Sequence, residues 1–330
     1  VNFDEIRKLA SGYQPAKLLL TAVKVGLFET LSEGQKSAAE ISSALGLDPR
    51  ATEISANALT ALGFLEKEGE LYRNSEDSAR FFVKSSPDYK GAIIKHINAG
   101  WEDWADLERT WRSGMALCRR KEEVLPSDEE ALSDFILGME NITREIAPKI
   151  AALLPLSDKK AILDLGGGPG NYSLAFAARA PGAKVFHFDL SRTSKVARKF
   201  VEGKPGAERI RFIEGDFTKD EIGGPYDLIF ASQVLHMLGE AEVEKLIRVC
   251  AGALSTGGVL AVHEHFLDDK KTSPLSAALF GVHMLAATPA GRSYSFAELE
   301  NYMRAAGLTP TERLTVPGSP SRLLSATKTG

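Results

Sequence analysis

Cysteine is scarce in this chain of 330 residues, which has only Cys118 and Cys250. They lie far apart, without metal-ligand spacing, so neither a disulfide framework nor a thiolate zinc site is expected. Two reduced, helix-borne thiols fit a cytoplasmic protein. Charge of one sign is also lacking: 40 basic side chains face 44 acidic ones, a formal net charge of −4. Such a balance gives no electrostatic footprint for nucleic acid or for an anionic membrane. Apolar runs stay far short of a membrane span, and the first residues are charged and amphipathic, without the apolar core of a secretion signal. There is no Gly-Lys-Ser/Thr phosphate loop, which disfavours nucleoside triphosphates. Repeats and low-complexity stretches are missing too. What is left, 44% hydrophobic and 25% charged, is the composition of an ordinary globular protein, and its length suggests two domains.

Against that plain background one stretch stands out, Ala161-Ile162-Leu163-Asp164-Leu165-Gly166-Gly167-Gly168-Pro169-Gly170. The apolar run reads as a buried strand. The glycines that follow read as a turn where a ligand touches bare backbone. Helical spacing from Asn171 to Arg179 completes a strand–turn–helix unit. The dinucleotide fingerprint requires glycines at relative positions one, three and six. Here position six is Asn171 counted from Gly166, or Ser173 counted from Gly168, so the nicotinamide reading fails on spacing.

Further strands follow, each bringing a polar group to its end. Ala183 to Phe188 ends in Asp189, an acid placed to accept both hydroxyls of a ribose. Ile210 to Phe212 leads to Glu214-Gly215-Asp216-Phe217, where an acid beside an aromatic suits an adenine. Tyr226 to Ala231 runs into Ser232-Gln233-Val234-Leu235-His236, and Gly258 to Val262 runs into His263-Glu264. Strands alternating with helices predict a mostly parallel sheet covered on both faces. Segments Thr311–Val316 and Arg322–Lys328 predict a closing antiparallel hairpin. His263, Glu264, His265 and His283 raise the question of a metal. Strand alternation sets His263 and Glu264 on opposite faces, so no metal is expected.

Residues 1–90 have a different grammar. An apolar-rich helix is predicted over Lys17–Leu31, a short helix over Ser37–Leu45 closed by Gly46, and another from Asp48-Pro49 to Leu62. Phe64–Arg73 reads as a hairpin. This order is that of a winged helix, so a DNA-binding regulator has to be weighed. The charges speak against it. From Lys36 to Arg73 the bases are Lys36, Arg50, Lys67 and Arg73, against the acids Glu40, Asp48, Glu53, Glu66, Glu68 and Glu70. That is too little to neutralise phosphates, and subunit contact is the preferred use of the module. Residues 91–155 form a helical bridge carrying His96, Trp101, Trp104, Trp111, Phe135 and Met139. They serve either as core or as a cap over the glycine-rich end of the sheet, a pocket for a flat organic molecule. Residues 156–330 make up the α/β domain.

The Asp-x-Gly-x-Gly-x-Gly pattern resembles motif I of the Rossmann-like, class I S-adenosylmethionine-dependent methyltransferases. Taken with the winged helix and the aromatic bridge, the whole chain resembles the caffeic acid and acetylserotonin O-methyltransferases, bacterial relatives included. Val25-Gly26-Leu27-Phe28, Leu45-Gly46-Leu47-Asp48-Pro49-Arg50 and Leu62-Gly63-Phe64-Leu65 are similar to that family's dimerisation module. The resemblance implies S-adenosylmethionine held by Gly166, Gly168, Asp189, Leu190, Asp216, Phe217 and Ser232, the last standing where the family has a lysine. It implies a cytoplasmic homodimer acting on a small, aromatic or polyketide-like molecule, with no nucleic acid or membrane partner. It makes His236 the general base and Glu264, 28 residues on, the acid that orients it. Trp104, Met139, His283 and Met284 are the expected substrate contacts. Two departures matter. Met237 follows the histidine where an acid or asparagine is usual, and Ser293, after Pro289-Ala290-Gly291-Arg292, takes the place of a helping acid. They leave open a non-methylating reaction on the same fold, such as hydroxylation, decarboxylation or a pericyclic step.

Overall fold

The structure, a computed structural model, describes residues 1–116 and 129–329. Cys118 lies outside them. The chain divides into two compact units, Val1–Trp101 and Glu102–Gly330.

The first unit opens with α1 (Phe3–Ser11), fixed by a capping box between Asn2 and Glu5. Apolar periodicity from Lys17 to Leu31 predicts one helix. The chain instead forms α2 (Tyr13–Val25) and α3 (Leu27–Thr30). Gly26 makes the break: at φ 82° its N–H closes on the carbonyls of Ala22 and Val23, a left-handed cap that ends a helix whatever the pattern beyond it. Then come β1 (Lys36–Ser37), α4 (Ala38–Leu45), α5 (Pro49–Ala61) and the hairpin β2 (Leu65–Glu68) and β3 (Leu71–Asn74). Ser37 and Glu40 box the start of α4, and Asp48 caps α5 ahead of its proline. Antiparallel pairing gives the order β1-β3-β2. Two helices followed by a hairpin make the winged-helix order. Asn57, on the second of those helices, is held by the hairpin, its Oδ1 accepting from the Tyr72 hydroxyl at 2.8 Å and from Lys67 at 3.0 Å. α6 (Glu76–Phe82) and α7 (Gly91–Ala99) follow, and α7 packs on α2. Phe28, Ile41, Leu59, Leu65 and Tyr72 form the core of this unit.

In the second unit α8 (Trp101–Ala105), α9 (Leu107–Ser113), α10 (Glu129–Thr143) and α11 (Ala147–Leu153) precede the sheet. The sheet elements are β4 (Ala161–Leu165), α12 (Asn171–Arg179), β5 (Lys184–Asp189), α13 (Ser191–Val201), β6 (Ile210–Glu214), β7 (Tyr226–Ser232) and α14 (Glu240–Ala253). They continue with β8 (Leu254–Glu264), α15 (Leu275–Ala287), α16 (Phe296–Ala305), β9 (Leu308–Thr315) and β10 (Arg322–Lys328). The seven strands order as β6-β5-β4-β7-β8-β10-β9, parallel from β6 to β8, with β10 antiparallel to both its neighbours. β8 begins four residues before the expected Gly258. The Gly257-Gly258 pair sits inside the strand, where the register against β7 shifts.

Alternation along the strands feeds two apolar cores. Leu163, Ile229, Leu260 and Val262 face α14 and α16. Ile162, Leu228, Phe230 and Ala261 face the side covered by α11 and α12. Neighbouring residues therefore serve opposite layers. This parity decides which way each polar residue at a strand end is turned. Among the described residues no helix is long and apolar enough to cross a membrane.

Candidate active site

Strand order reverses between β4 and β7, and in open parallel sheets ligands sit beyond the carboxyl ends at such a switch point. The glycine turn leaves β4 there, Asp189 ends β5, His236 follows β7, and Glu264 ends β8.

The glycines of the turn have separate reasons. A Cβ on Gly166 would come within 2.5 Å of Val234 and 3.6 Å of the Phe217 ring. One on Gly167 would strike the His187 imidazole at 2.3 Å. Those two are demanded by packing, and Gly166, at φ 70°, by its conformation as well. Gly168, at φ 55°, has nothing within 4 Å where its Cβ would stand; its conformation demands glycine. The turn thus presents open backbone, the cradle that a nucleoside cofactor needs. The same Gly168 donates its N–H to Asp189 Oδ2 at 2.8 Å, and Leu190 donates its own to Oδ1 at 2.7 Å. Burial raises the pKa of this carboxyl, against the pull of those two N–H groups. Asp189 therefore ties β5 to the glycine turn, with accepting capacity to spare. Asp216 accepts from the Thr218 hydroxyl at 2.6 Å and pairs with Lys219 at 2.9 Å. Partial burial would raise its pKa, but those partners hold it below the ordinary value.

His236 lies in a 3-10 turn over Leu235–Met237 and is 9% exposed. Its Nδ1 is 2.9 Å from Glu264 Oε2. Glu264 Oε1 accepts the N–H groups of Leu235 at 2.9 Å and His236 at 3.4 Å. One carboxylate thus fixes both the imidazole and the turn that carries it. Burial alone would raise the Glu264 pKa; His236 beside it, with these donors, holds it below the usual carboxylate value. An ionised Glu264 accepts the proton on Nδ1 and leaves Nε2 as the basic nitrogen. From the other side, Arg292 N–H donates to the His236 carbonyl at 2.8 Å, and a Cβ on Gly291 would meet that carbonyl at 2.4 Å. The Pro289-Ala290-Gly291 turn is thus packed directly on the backbone of His236. Ser293, beyond it, gives its hydroxyl to the Ala277 carbonyl at 2.8 Å, and Met237 packs into the α14 core.

Phe280 on α15, not singled out by the sequence, is the hub of the surroundings. Its ring stands edge-on to His236 at 4.8 Å between centroids, and it also meets His265 at 4.2 Å and His283 at 6.1 Å. Trp104 donates its indole N–H to His283 Nδ1 at 3.2 Å. Met284 is buried on the same helix. Trp101 is engaged by Lys17, whose ammonium is 4.4 Å from its ring centre, and Trp111 is 72% exposed. Met139, half-buried on α10, gives its carbonyl to Thr143. Ser232 has the parity of Phe230 and turns to the α12 side, where its hydroxyl is 3.0 Å from His263 Nδ1. His263 and Glu264 do face opposite ways, and among the described residues no three His, Cys, Asp or Glu side chains converge as metal ligands.

Sequence reasoning also missed Gln233, a non-glycine residue at φ 57° just past β7. Its N–H donates to the His263 carbonyl at 2.9 Å and its amide to Ser321 at 3.0 Å. Left-handed backbone in a non-glycine residue is costly and concentrates at functional sites. Nothing in the one-letter code flags it. Beneath the turn lies a second unread group. Ser173 donates to Asp164 at 2.6 Å and is 3.1 Å from His187 Nδ1. Cys250 is buried in α14, and burial pushes its thiol up to about 12.

Comparison with known proteins puts names to this arrangement. The O-methyltransferase domain family matches residues 112–309, and the O-methyltransferase dimerisation domain matches 7–85. The 3-hydroxy-5-methyl-1-naphthoate 3-O-methyltransferase of Streptomyces sahachiroi is 30% identical, over 94% of this chain and 91% of that protein. The tetracenomycin polyketide synthesis 8-O-methyl transferase of Streptomyces glaucescens is 27% identical, over 95% and 94%. The S-adenosyl-L-methionine-dependent methyl transferase PigF of a Serratia species is 26% identical, over 96% and 94%. A solved structure of PigF with SAH covers 99% of this chain and 100% of that one, with a TM-score of 0.91 at 25% identity.

Proposed function

This chain belongs to the O-methyltransferase family and uses S-adenosylmethionine; on that premise we propose that it methylates a hydroxyl of a small aromatic or polyketide-like molecule, with His236 as general base. The observation that carries the reading is the 2.9 Å contact between His236 and Glu264 at the switch point of the sheet. The names of the Streptomyces relatives, a naphthoate and a tetracenomycin methyltransferase, support the acceptor class.

When bound, the cofactor supplies a methyl group on a sulfonium, which leaves by in-line displacement. The chain has to hold, align and deprotonate. Gly166, Gly168, Asp189 and Leu190 would hold the cofactor's ribose and amino-acid end, with Asp216 and Phe217 at its adenine and Ser232 beneath. Trp104, Met139, His283 and Met284 would line the acceptor. A phenol resembles tyrosine, with a pKa of ~10, so about one part in a thousand is ionised at neutral pH. Recovering that fraction is worth about 4 kcal/mol, within reach of a positioned imidazole. His236 Nε2 takes the proton, and the resulting imidazolium is stabilised by Glu264 across Nδ1.

The test is incubation with radiolabelled cofactor and a panel of naphthols, hydroxyquinones, indoles and aliphatic alcohols. Label should pass to hydroxyaryl compounds in organic extracts. Transfer to none of them, or conversion of an acceptor without label, would favour the non-methylating alternative kept open by Met237 and Ser293.

We also propose a homodimer assembled through residues 7–85, which match the dimerisation domain. Removing residues 1–90 should give a monomer or an aggregate in sedimentation. A full-length chain that sediments as a monomer at micromolar concentration would overturn this.

A further inference from the structure

Three imidazoles meet the Phe280 ring, and the proposed chemistry uses only one. His283 sits one helical turn from Phe280 on α15. Its Nδ1 accepts the Trp104 indole N–H at 3.2 Å, with the two rings nearly parallel, 8° apart. Indole nitrogen is a donor only. The bond therefore makes Nδ1 the acceptor and puts the imidazole proton on Nε2. Burial, opposed by Asp103 and reinforced by His236 nearby, lowers the His283 pKa, so the ring is neutral at physiological pH. Among the described residues Nε2 has no protein partner. His283 is thus a fixed, uncharged donor within electrostatic reach of His236.

We propose that His283 is a specificity-determining residue, whose Nε2–H selects acceptors that carry an uncharged carbonyl oxygen beside the hydroxyl to be methylated. The inference rests on the hydroxyaryl reading above. A hydroxyl next to a carbonyl is normally locked to it by an internal hydrogen bond, which keeps the proton from any base. A second donor at the carbonyl competes for that oxygen. The hydroxyl is then free to turn its proton to His236 Nε2. No bond beyond the methyl transfer itself is formed or broken. Charge argues for a neutral group. Glu264 and Asp103 are acidic, and Arg292, whose N–H meets the His236 carbonyl, is committed to Glu240 and Glu298 and lies over the Tyr294 ring. A carboxylate at the same place would stand in the field of two acids, Glu264 and Asp103.

The experiment compares two acceptors of nearly equal shape, 2-acetyl-1-naphthol and 2-ethyl-1-naphthol, with 1-hydroxy-2-naphthoate as the charged third. The wild-type protein should prefer the acetyl compound over the ethyl compound in kcat/KM, with the naphthoate poorest. His283→Phe keeps a flat ring and removes the donor, so that preference should fall about tenfold, the worth of one hydrogen bond in a dry site. Trp104→Phe frees the tautomer and should lower it by a smaller factor. The same ratios are read as Kd by calorimetry with S-adenosylhomocysteine bound. If the acetyl compound binds tighter in the wild type alone but is not methylated, the donor role stands and the methyl-transfer reading fails. An acetyl-to-ethyl ratio unchanged in both variants, or naphthoate as the best acceptor, overturns the proposal.

Discussion

His236 with Glu264 and His187 with Asp164 are the same pairing of side chains, set into one sheet in two different places. The first pair sits where β7 and β8 end. The second consists of cross-strand neighbours on β4 and β5, beneath the glycine turn. Both are buried, yet their chemistry differs. Glu264 collects backbone N–H groups as well as the imidazole and stays ionised at 2.9 Å from it. Asp164 accepts from Ser173, side chain and backbone, and burial outweighs those bonds, raising its pKa to about 7. His187, 4.0 Å from it, is pushed down to about 3 by burial, and its Nε2 is buried without a partner. One pair joins an ionised carboxylate directly to an imidazole. The other is a buried plug packed against Gly167. A histidine beside an acid therefore means little by itself; direct contact with the imidazole and a place at the strand exit make the difference.

The comparison breaks first if the pairs respond alike to loss of the imidazole. His236→Ala should lower methyl transfer by about 10²–10⁴, with cofactor affinity by calorimetry nearly unchanged. His187→Phe should cost stability but leave the rate per folded molecule close to wild type. Next in size is Asp189→Ala, which removes a carboxylate that anchors Gly168 and Leu190 and that we propose as the ribose acceptor. Affinity for S-adenosylhomocysteine should drop by about 10²-fold, since charged hydrogen bonds are worth ~1.5–3 kcal/mol each; equal affinity in the variant would remove Asp189 from the site. Glu264→Gln keeps the shape but not the charge, and kcat should fall by about tenfold, less than for His236→Ala.

The smallest effect sharpens the other half of the contrast. Folded Asp164 keeps its proton to about pH 7, while an unfolded aspartate loses it near ~4. Between those values the folded state binds more protons, so wild-type stability declines as pH rises through the window. Asparagine cannot ionise. Asp164→Asn should therefore gain about 5–10 °C in Tm relative to wild type on going from pH 4 to pH 8. A constant difference across that range would show that Asp164 is ionised throughout.

Much of this arrangement was legible before any coordinates. Strand ends at Asp189 and Glu264, with Asp216 and His236 a few residues past theirs, follow from apolar runs that stop at a polar residue, and parity separates His263 from Glu264. What stayed hidden depends on partners distant in sequence. Ser232 is one case, its hydroxyl 3.0 Å from His263 Nδ1, 31 residues on. Phe280 is one apolar residue among many on α15 until its ring is seen between His236, His265 and His283. Two of the glycines credited to ligand approach, Gly166 and Gly167, are required by Val234 and His187, which no local pattern announces. Gly26 shows the local version of the problem: periodicity runs through it, and one left-handed residue still splits the helix.

The central claim is that His236 provides the proton acceptor. It is tested most directly by the ratio of wild-type to His236→Ala methyl transfer, followed from pH 6.5 to pH 10 on a simple naphthol with saturating cofactor. As pH nears the acceptor's own pKa, solvent supplies the ionised form and the base loses its advantage. The account predicts a ratio that is large at neutral pH and falls steadily towards a few-fold at the alkaline end. A ratio near one at neutral pH, or one that stays constant across the range, would contradict it.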